Sequence, residues 1–423
     1  MSINFGDANT SALAEYFIRK YNLVGRDAEY IKNRPTLAMV PRDSERLKGG
    51  DLFYETLRIA DGFSDSPDWV TGNKYYNPST KVRWQVGDPY PQYSRLTFDN
   101  LALARNNVGT LIDIKSSEAD GVANGMLDTL EFQLWNDGTG ARGQASVLAG
   151  SASVRVVTLA TTSDVYNFPY GAVIDCNTAS DGSGTERADL YKVTDLNPIA
   201  GKVTLTRISG SAGDFAANDY MFVKGSANAY MPGIPSFIPS SDPSDTLFGV
   251  TRTGNPALSG WRFSYKGSVS ETIQRSFATM GRWVNRAAGK FIVCLSTTDW
   301  LMLSMEREGR VFEDPTAVQK WGLEGLTVRT PFGPITCVAV PQMKDGRGYI
   351  IDWSSWKLYT LKNLPHVIDE DGMTFVRLGI SDPILGNLTP PGVTNGDGLA
   401  LQMRIWKVLL CLQPMSNATF PTS

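Results

Sequence analysis

Histidine occurs once in the chain, at position 366, and cysteine four times, at 176, 294, 337 and 411. A lone histidine excludes zinc sites built from several imidazoles, and any Ser–His or Cys–His pair would have to use His366 itself. That residue lies in LKNLPHVIDEDG, beside Pro365 and ahead of an acidic turn, where a surface or packed side chain explains it better than catalysis does. The cysteines are far apart and form no CxxC pair, so they read as small buried apolar residues in a reducing compartment. No run of eighteen apolar residues exists, and the opening MSINFGDANTSALAEYF lacks a basic start followed by an apolar segment and a cleavage site. The expectation is a chain that neither spans a membrane nor is exported by a cleaved signal. A surplus of one charge is missing too. Forty basic against forty-three acidic residues leave −3, too weak a field to hold the protein on DNA or on an anionic membrane.

The signatures of common chemistry are equally scarce. GxxxxGK[ST] does not occur, and the one GxGxxG, from Gly138 to Gly143, follows a helix end where a dinucleotide site needs a strand before it and a helix after. GxSxG and HExxH are absent, and no SxxK stands in a serine-acylase setting. The pairs Asp369–Asp371 and Asp299–Glu306 could be drawn as acid and base, but solvated turns and helix faces account for them. Asp175, Asp181 and Asp195 lack the carboxylate spacing of a calcium loop, so turn chemistry is the better explanation. No catalytic residue, cofactor site or metal ligand is therefore assigned, and the expectation is a protein that is not an enzyme.

What the chain does contain is organised around one stretch, from Ser116 to Gly140. Ser116 and Ser117 can cap a first turn that also holds Glu118 and Asp120. Ala119, Val122, Ala123, Met126, Leu127, Leu130 and Leu134 then recur at intervals of three and four, while Asp128, Glu131 and Gln133 fall mostly off that face. Asn136-Asp137-Gly138-Thr139-Gly140 stops the helix. Gly121 and Gly125 inside it each cost about 1 kcal/mol relative to Ala, so packing must sustain it.

Ahead of that helix the sequence predicts a short helix from Ala8 to Tyr21, with Leu13, Tyr16, Phe17 and Tyr21 on one face. An extended arm from Asp27 to Gly50, with little core of its own, should follow. Residues 51–93 carry nine aromatics and alternate like two strands. Leu52, Tyr54 and Thr56 run out to a polar tip, and Val82, Trp84 and Val86 return from it. A lone hairpin is marginally stable in water, so its aromatics need a partner surface, either another copy of the chain or their own domain.

After the helix come short β-branched runs at 154–160, 171–176, 188–196, 202–208 and 219–225, which predict a small barrel or sandwich entered near Ser151 and left near Ala227. From Ser268 the pattern is mixed. A capping box Ser268–Glu271 precedes Ile273, Phe277, Met280 and Val284, and Gly289 closes that helix. A buried strand at 291–296 follows, then a helix capped at Ser296, Thr297 or Thr298. Further strands turn at Gly333-Pro334 and Asp345-Gly346, and a final strand spans 398–414. No fixed repeat is present.

The order of these pieces resembles the tailed-bacteriophage major capsid proteins of the Hong Kong 97 type, in particular members with an inserted barrel. The likeness rests on LEFQLWNDGTGARG (130–143), TDLNPIAGKVTLTRISGSAGDFAANDYMFVKGSA (194–227), GIPSFIPSSDPSDTLFGVTRTGNPALSGW (233–261), LEGLTVRTPFGPITCVAVPQM (323–343) and LALQMRIWKVLLCLQPMSNA (399–418), in that order. It implies an α+β fold with an N-terminal arm at 1–50, an extended loop at 51–93 and a peripheral domain with its spine helix at 94–151. A β-rich insertion would occupy 152–227, peripheral strands 228–267, an axial domain 268–365, further peripheral strands 366–398, and a return strand with the C-terminus 399–423.

The function implied is self-assembly into hexamers and pentamers that close an icosahedral head around double-stranded DNA, without sequence-specific contact and without a membrane. Inter-subunit contacts would be made by Phe63, Trp69, Tyr75, Tyr76 and Trp84 of the loop and by Arg42 and Arg46 of the arm. The partners implied are the portal, a separate scaffolding protein, since no long charged scaffolding segment precedes the arm, and a decoration or cement protein. Lys74 and Lys81 lie in the loop that some relatives crosslink, but no matching motif accompanies them. An encapsulin-like nanocompartment shell shares the fold; a β-rich adhesin or a hydrolase fits the composition less well.

Overall fold

A computed structural model describes residues 15–21, 34–44, 53–60, 64–99, 108–210, 214–253, 256–265, 267–284, 290–306, 311–313, 325–362, 364–368, 375–378, 381–382, 386–387 and 398–422. Three apolar cores organise them. The largest lies between the spine helix, Val108–Leu134, and a six-stranded sheet built around one long strand, Gly398–Cys411. Tyr90–Asp99, Trp356–Thr360, His366–Val367 and Phe375–Leu378 all pair antiparallel with that strand.

The spine helix begins at Val108, ahead of the start expected at Ser116. Ser116 and Ser117 are interior residues, because the preceding VGTLIDIK continues a helix and a serine caps only where the chain before it cannot. Its length is about 40 Å at 1.5 Å per residue. Ala119, Ala123, Met126, Leu127, Leu130 and Leu134 are buried as the spacing predicted. Part of the polar face is covered by the arm. Lys20 and Tyr21 reach Asp120 at 2.7 Å each, and Arg34 holds Asp128 through Nε at 2.9 Å and Nη2 at 2.6 Å. Glu131 accepts from the backbone N–H of Thr36 at 2.9 Å and of Leu37 at 3.4 Å, and Trp135 Nε1 donates to Thr36 at 2.7 Å.

The described part of the arm, residues 34–44, packs against the spine helix and not around a core of its own. The helical residues 15–21 bury Phe17 and Tyr21, and Pro35–Met39 forms a short helix whose Thr36, Leu37 and Met39 are buried. Carboxylates spaced along the spine helix supply the surface on which the arm lies. Leu13 and most of Asp27–Gly50 lie outside the described residues.

The hairpin is present. Phe53–Ala60 pairs antiparallel with Thr80–Val86, and a short helix, Trp69–Lys74, forms the tip. Asp68 caps that helix by accepting from the Thr71 N–H at 2.9 Å.

The inserted module is a closed barrel ordered Tyr220–Val223, Gly143–Gly150, Val154–Leu159, Lys202–Ser209, Leu190–Asn197 and Val173–Asn177, returning to the first. Its earliest strand, Gly143–Gly150, lies ahead of the expected boundary at 152. The run GQASVLAG, rich in Gly and Ala, carries little β signal of its own. Val157, Val203, Leu205, Ile174, Tyr191 and Val193 fill the interior. Asp181 accepts from Ser183 N–H and Oγ in a turn, Asp175 pairs with Lys224 at 3.4 Å, and Asp195 sits in a strand.

The third core lies under a seven-stranded sheet ordered Trp261–Arg262, Ala418–Pro421, Arg347–Ile351, Ile292–Leu295, Gly333–Ala339, Gly325–Thr330 and Val311–Glu313. The helix Val269–Val284 covers it with Ile273, Phe277 and Met280. Ser268 Oγ accepts from the Glu271 N–H at 3.3 Å as expected. The reciprocal contact comes from elsewhere: Glu306 accepts from the N–H groups of Val269 at 2.7 Å and Ser270 at 3.0 Å, while Glu271 pairs with Arg275. Ser296 caps the helix Thr297–Met305 through the Asp299 N–H. The hairpin turn sits at Pro331-Phe332, since Pro334 is already paired with Arg329. All four cysteines are buried and free, and His366 is buried in its strand.

Candidate assembly surfaces

The hairpin divides into two parts with opposite surroundings. At the foot, Leu57, Trp84 and Val86 are buried. Trp84 Nε1 donates to the Cys411 carbonyl at 2.8 Å, and its ring stands edge-on to Phe237 at 5.9 Å and to Phe248 at 6.2 Å. Trp84 is accordingly an anchor within its own subunit, which corrects its place among the expected contacts: alternation puts it on the inward face of the returning strand. At the tip, Trp69 is 81% exposed, with Val70, Tyr75 and Tyr76 also exposed. The Lys74 ammonium lies 5.5 Å from the Tyr75 ring centre. The Thr71 side chain and N–H, both bonded to Asp68, hold that carboxyl below its usual range, so the cap stays charged.

Three of the expected contact residues, Trp69, Tyr75 and Tyr76, are thus brought together on one projection. Arg42 lies elsewhere, exposed in the two-residue strand Arg42–Asp43, which pairs parallel with Leu358 and Tyr359 at the edge of the six-stranded sheet. Phe63 and Arg46 lie outside the described residues.

No family model matches the chain, and no curated protein does. Among solved structures, a chain of the capsid asymmetric unit of cyanophage A-1(L) is similar at a TM-score of 0.50 and 8% identity, covering 92% of this chain and 93% of that one. The fold is that of a phage capsid subunit. Further likenesses are the capsid of an empty GTA particle, at TM-score 0.46, 6% identity and coverage of 92% and 90%, and the capsid of cyanophage P-SCSP1u, at 0.38, 10%, and 90% and 85%. The Hong Kong 97-type α+β architecture expected from the resemblance, with its inserted barrel, is borne out.

Among the described residues, no group of three or more His, Cys, Asp and Glu side chains could hold a metal ion, and no helix is long and apolar enough to cross a membrane. A groove of about 450 Å³ opens beside the end of the spine helix, lined by Trp135, Pro235, Pro239, Met343, Lys344 and Arg347 among others. Sequence reasoning missed buried charged groups, Lys407 and Asp164 among them. Lys407 is fully buried, donates to Gln92 Oε1 at 2.6 Å, and has its amine pulled down to about 7 by burial. Asp164 lines a crevice beside the barrel. Neither has a sequence signal: Lys407 follows the strand's alternation as though it were an apolar residue.

Proposed function

We propose that this chain is the major capsid protein of a tailed double-stranded DNA bacteriophage, that its copies form hexamers and pentamers, and that these close an icosahedral head around the genome. The observation that carries the reading is the hairpin tip: Trp69, Val70, Tyr75 and Tyr76 leave their apolar surface in water on a fold otherwise provided with three cores. Apolar surface gathered on a projection is stabilised by association, at roughly 25 cal/mol per Å² removed from water. A tip that rests on the next copy makes a head-to-tail contact, and such contacts close into rings when the rotation permits. The chain's own −3 charge suits a wall that encloses DNA without gripping it. Tip residues Trp69, Tyr75 and Tyr76, with Phe63 and the arm residues Arg42 and Arg46, make the inter-subunit contacts in this reading. Assembly takes place in the host cytoplasm with a separate scaffolding protein, a portal and a decoration protein on the finished head, and no residue is catalytic.

The test is expression of the chain with and without residues 64–79, followed by negative-stain microscopy and sizing. Intact chain should yield shells, tubes or capsomers, and the shortened chain a soluble, folded subunit that closes no shell. Normal particles from the shortened chain, or an intact chain that stays monomeric at every salt concentration, would sink the proposal. Particles that package enzyme in place of DNA in the native host would make it a nanocompartment shell.

A further inference from the structure

We propose that the seat of the barrel on the body is a proton-controlled joint: the barrel turn at residues 162–167 closes on the axial loop at residues 341–345 when the Asp164 carboxyl is neutral, and loosens when it is charged. The barrel hangs from the body by two crossings of the chain, and Arg142 clamps both to the turn. Its guanidinium is buried, stacks 3.8 Å from the ring centre of Phe132 on the spine helix, and donates to the Asn167 carbonyl at 3.0 Å and to Tyr230 Oη at 3.2 Å. That side of the turn is fixed. The other side faces a crevice of about 40 Å³ lined by Ser163, Asp164, Thr297, Thr298, Gln342 and Lys344 among others, room for only a few waters.

Asp164 is 8% exposed at this crevice, and its Oδ1 accepts one bond, from Asn167 Nδ2 at 3.3 Å. The turn packs closely on the first barrel strand: a Cβ on Gly143 would lie 3.3 Å from both Asp164 Cβ and the Phe168 ring. Burial pushes its carboxyl up to about 6, with Lys344 opposing the rise and Asp345 adding to it. The charged groups acting on it are Lys344 and Asp345, both on the axial loop. Arg142 binds the other side of the turn, at the Asn167 carbonyl, and Asp299 of the helix Thr297–Met305 holds the loop by accepting from the Gly346 N–H at 3.1 Å. Thr298 Oγ1 donates to Asp345 at 3.4 Å and anchors the loop. A charged Asp164 is drawn to Lys344 and repelled by the next residue, and it demands more hydration than the crevice holds. Opening the crevice to water relieves both.

Hydrogen exchange of the full chain at about pH 5 and about pH 7.5, corrected for the chemical rate, reads the joint directly. Peptides covering 160–170 and 340–347 should lose at least about tenfold protection at the higher pH, while those in the strand Lys202–Ser209 stay unchanged. Asp164→Asn should hold the protected level at both values. Lys344→Met, by removing the opposing cation, should move the midpoint to higher pH, and Asp345→Asn to lower pH. If Asp164→Asn fails to fold, the opposite displacements of these two surface variants decide the matter. Equal protection of the native chain at both values, an unchanged response in Asp164→Asn, midpoints moving the same way in the other two, or loss of protection throughout the barrel would each overturn the joint.

Discussion

Trp84 at the foot of the hairpin and Trp69 at its tip belong to one supersecondary unit. The first is wholly buried against Phe237, Phe248 and the Cys411 carbonyl, while the second is 81% exposed. The foot is held because the long strand and the segment around Phe237 complete its burial within the subunit. The tip extends beyond any such surface and keeps its short helix through local contacts, the Asp68 cap and the Ser64 bond to the Gly72 carbonyl among them. An aromatic residue in this hairpin is therefore buried or left in water according to its distance from the long strand, and composition does not distinguish the two.

The comparison breaks most sharply by truncating each indole. Trp84→Ala should destabilise the soluble subunit by about 3–5 kcal/mol, through a cavity and an orphaned carbonyl at Cys411. Trp69→Ala should change unfolding by less than about 0.5 kcal/mol while lowering shell yield. Urea unfolding of the two variants beside particle counts by microscopy measures both. Equal losses of stability would erase the distinction between foot and tip.

A charge placed on the buried side sharpens it next. The folded-state Lys407 amine titrates near 7, well below its ordinary 10.5. Between those values the unfolded chain holds more protons than the folded one, so stability should climb as pH rises through that window and be lowest below about 7. Lys407→Met should remove that slope and stabilise the subunit at pH 6 by about 1–4 kcal/mol, although Gln92 Oε1 loses its donor. Thermal unfolding between pH 6 and pH 10 checks this. A variant with the native pH slope would place the titration elsewhere.

Much of this was legible in the residues, for reasons that also set the limit. Alternation located the hairpin strands, most barrel strands and the first half of the long strand; from Lys407 to Cys411 both faces of that strand are buried. Ser296 declared its helix because a side chain that accepts from its own third neighbour is a local device. Contacts between distant segments were hidden. Asp120, Asp128 and Glu131 look like a solvated stripe until Lys20, Arg34 and Thr36 arrive from the arm. Glu306 caps a helix that begins far before it in the chain. Trp84 and Trp69 differ only in what lies beside them once the chain has folded. The proposed contact surface has the same limit: the hairpin aromatics could be named, but which of them are used internally depended on a strand more than three hundred residues away.

The smallest effect concerns the spine helix, where Gly121 and Gly125 are exposed and a Cβ on either would meet nothing within 4 Å. In an isolated subunit, Ala at each position should stabilise by about 0.5–1 kcal/mol, because the unfolded chain loses freedom and the helix gains propensity. If the same double variant raises the melting temperature of subunits yet lowers shell yield, then another backbone approaches this face in the assembled state, as glycines on an exposed helix permit. Should it raise the melting temperature and leave shell yield unchanged, the glycines are neutral to assembly and no backbone needs to approach this face.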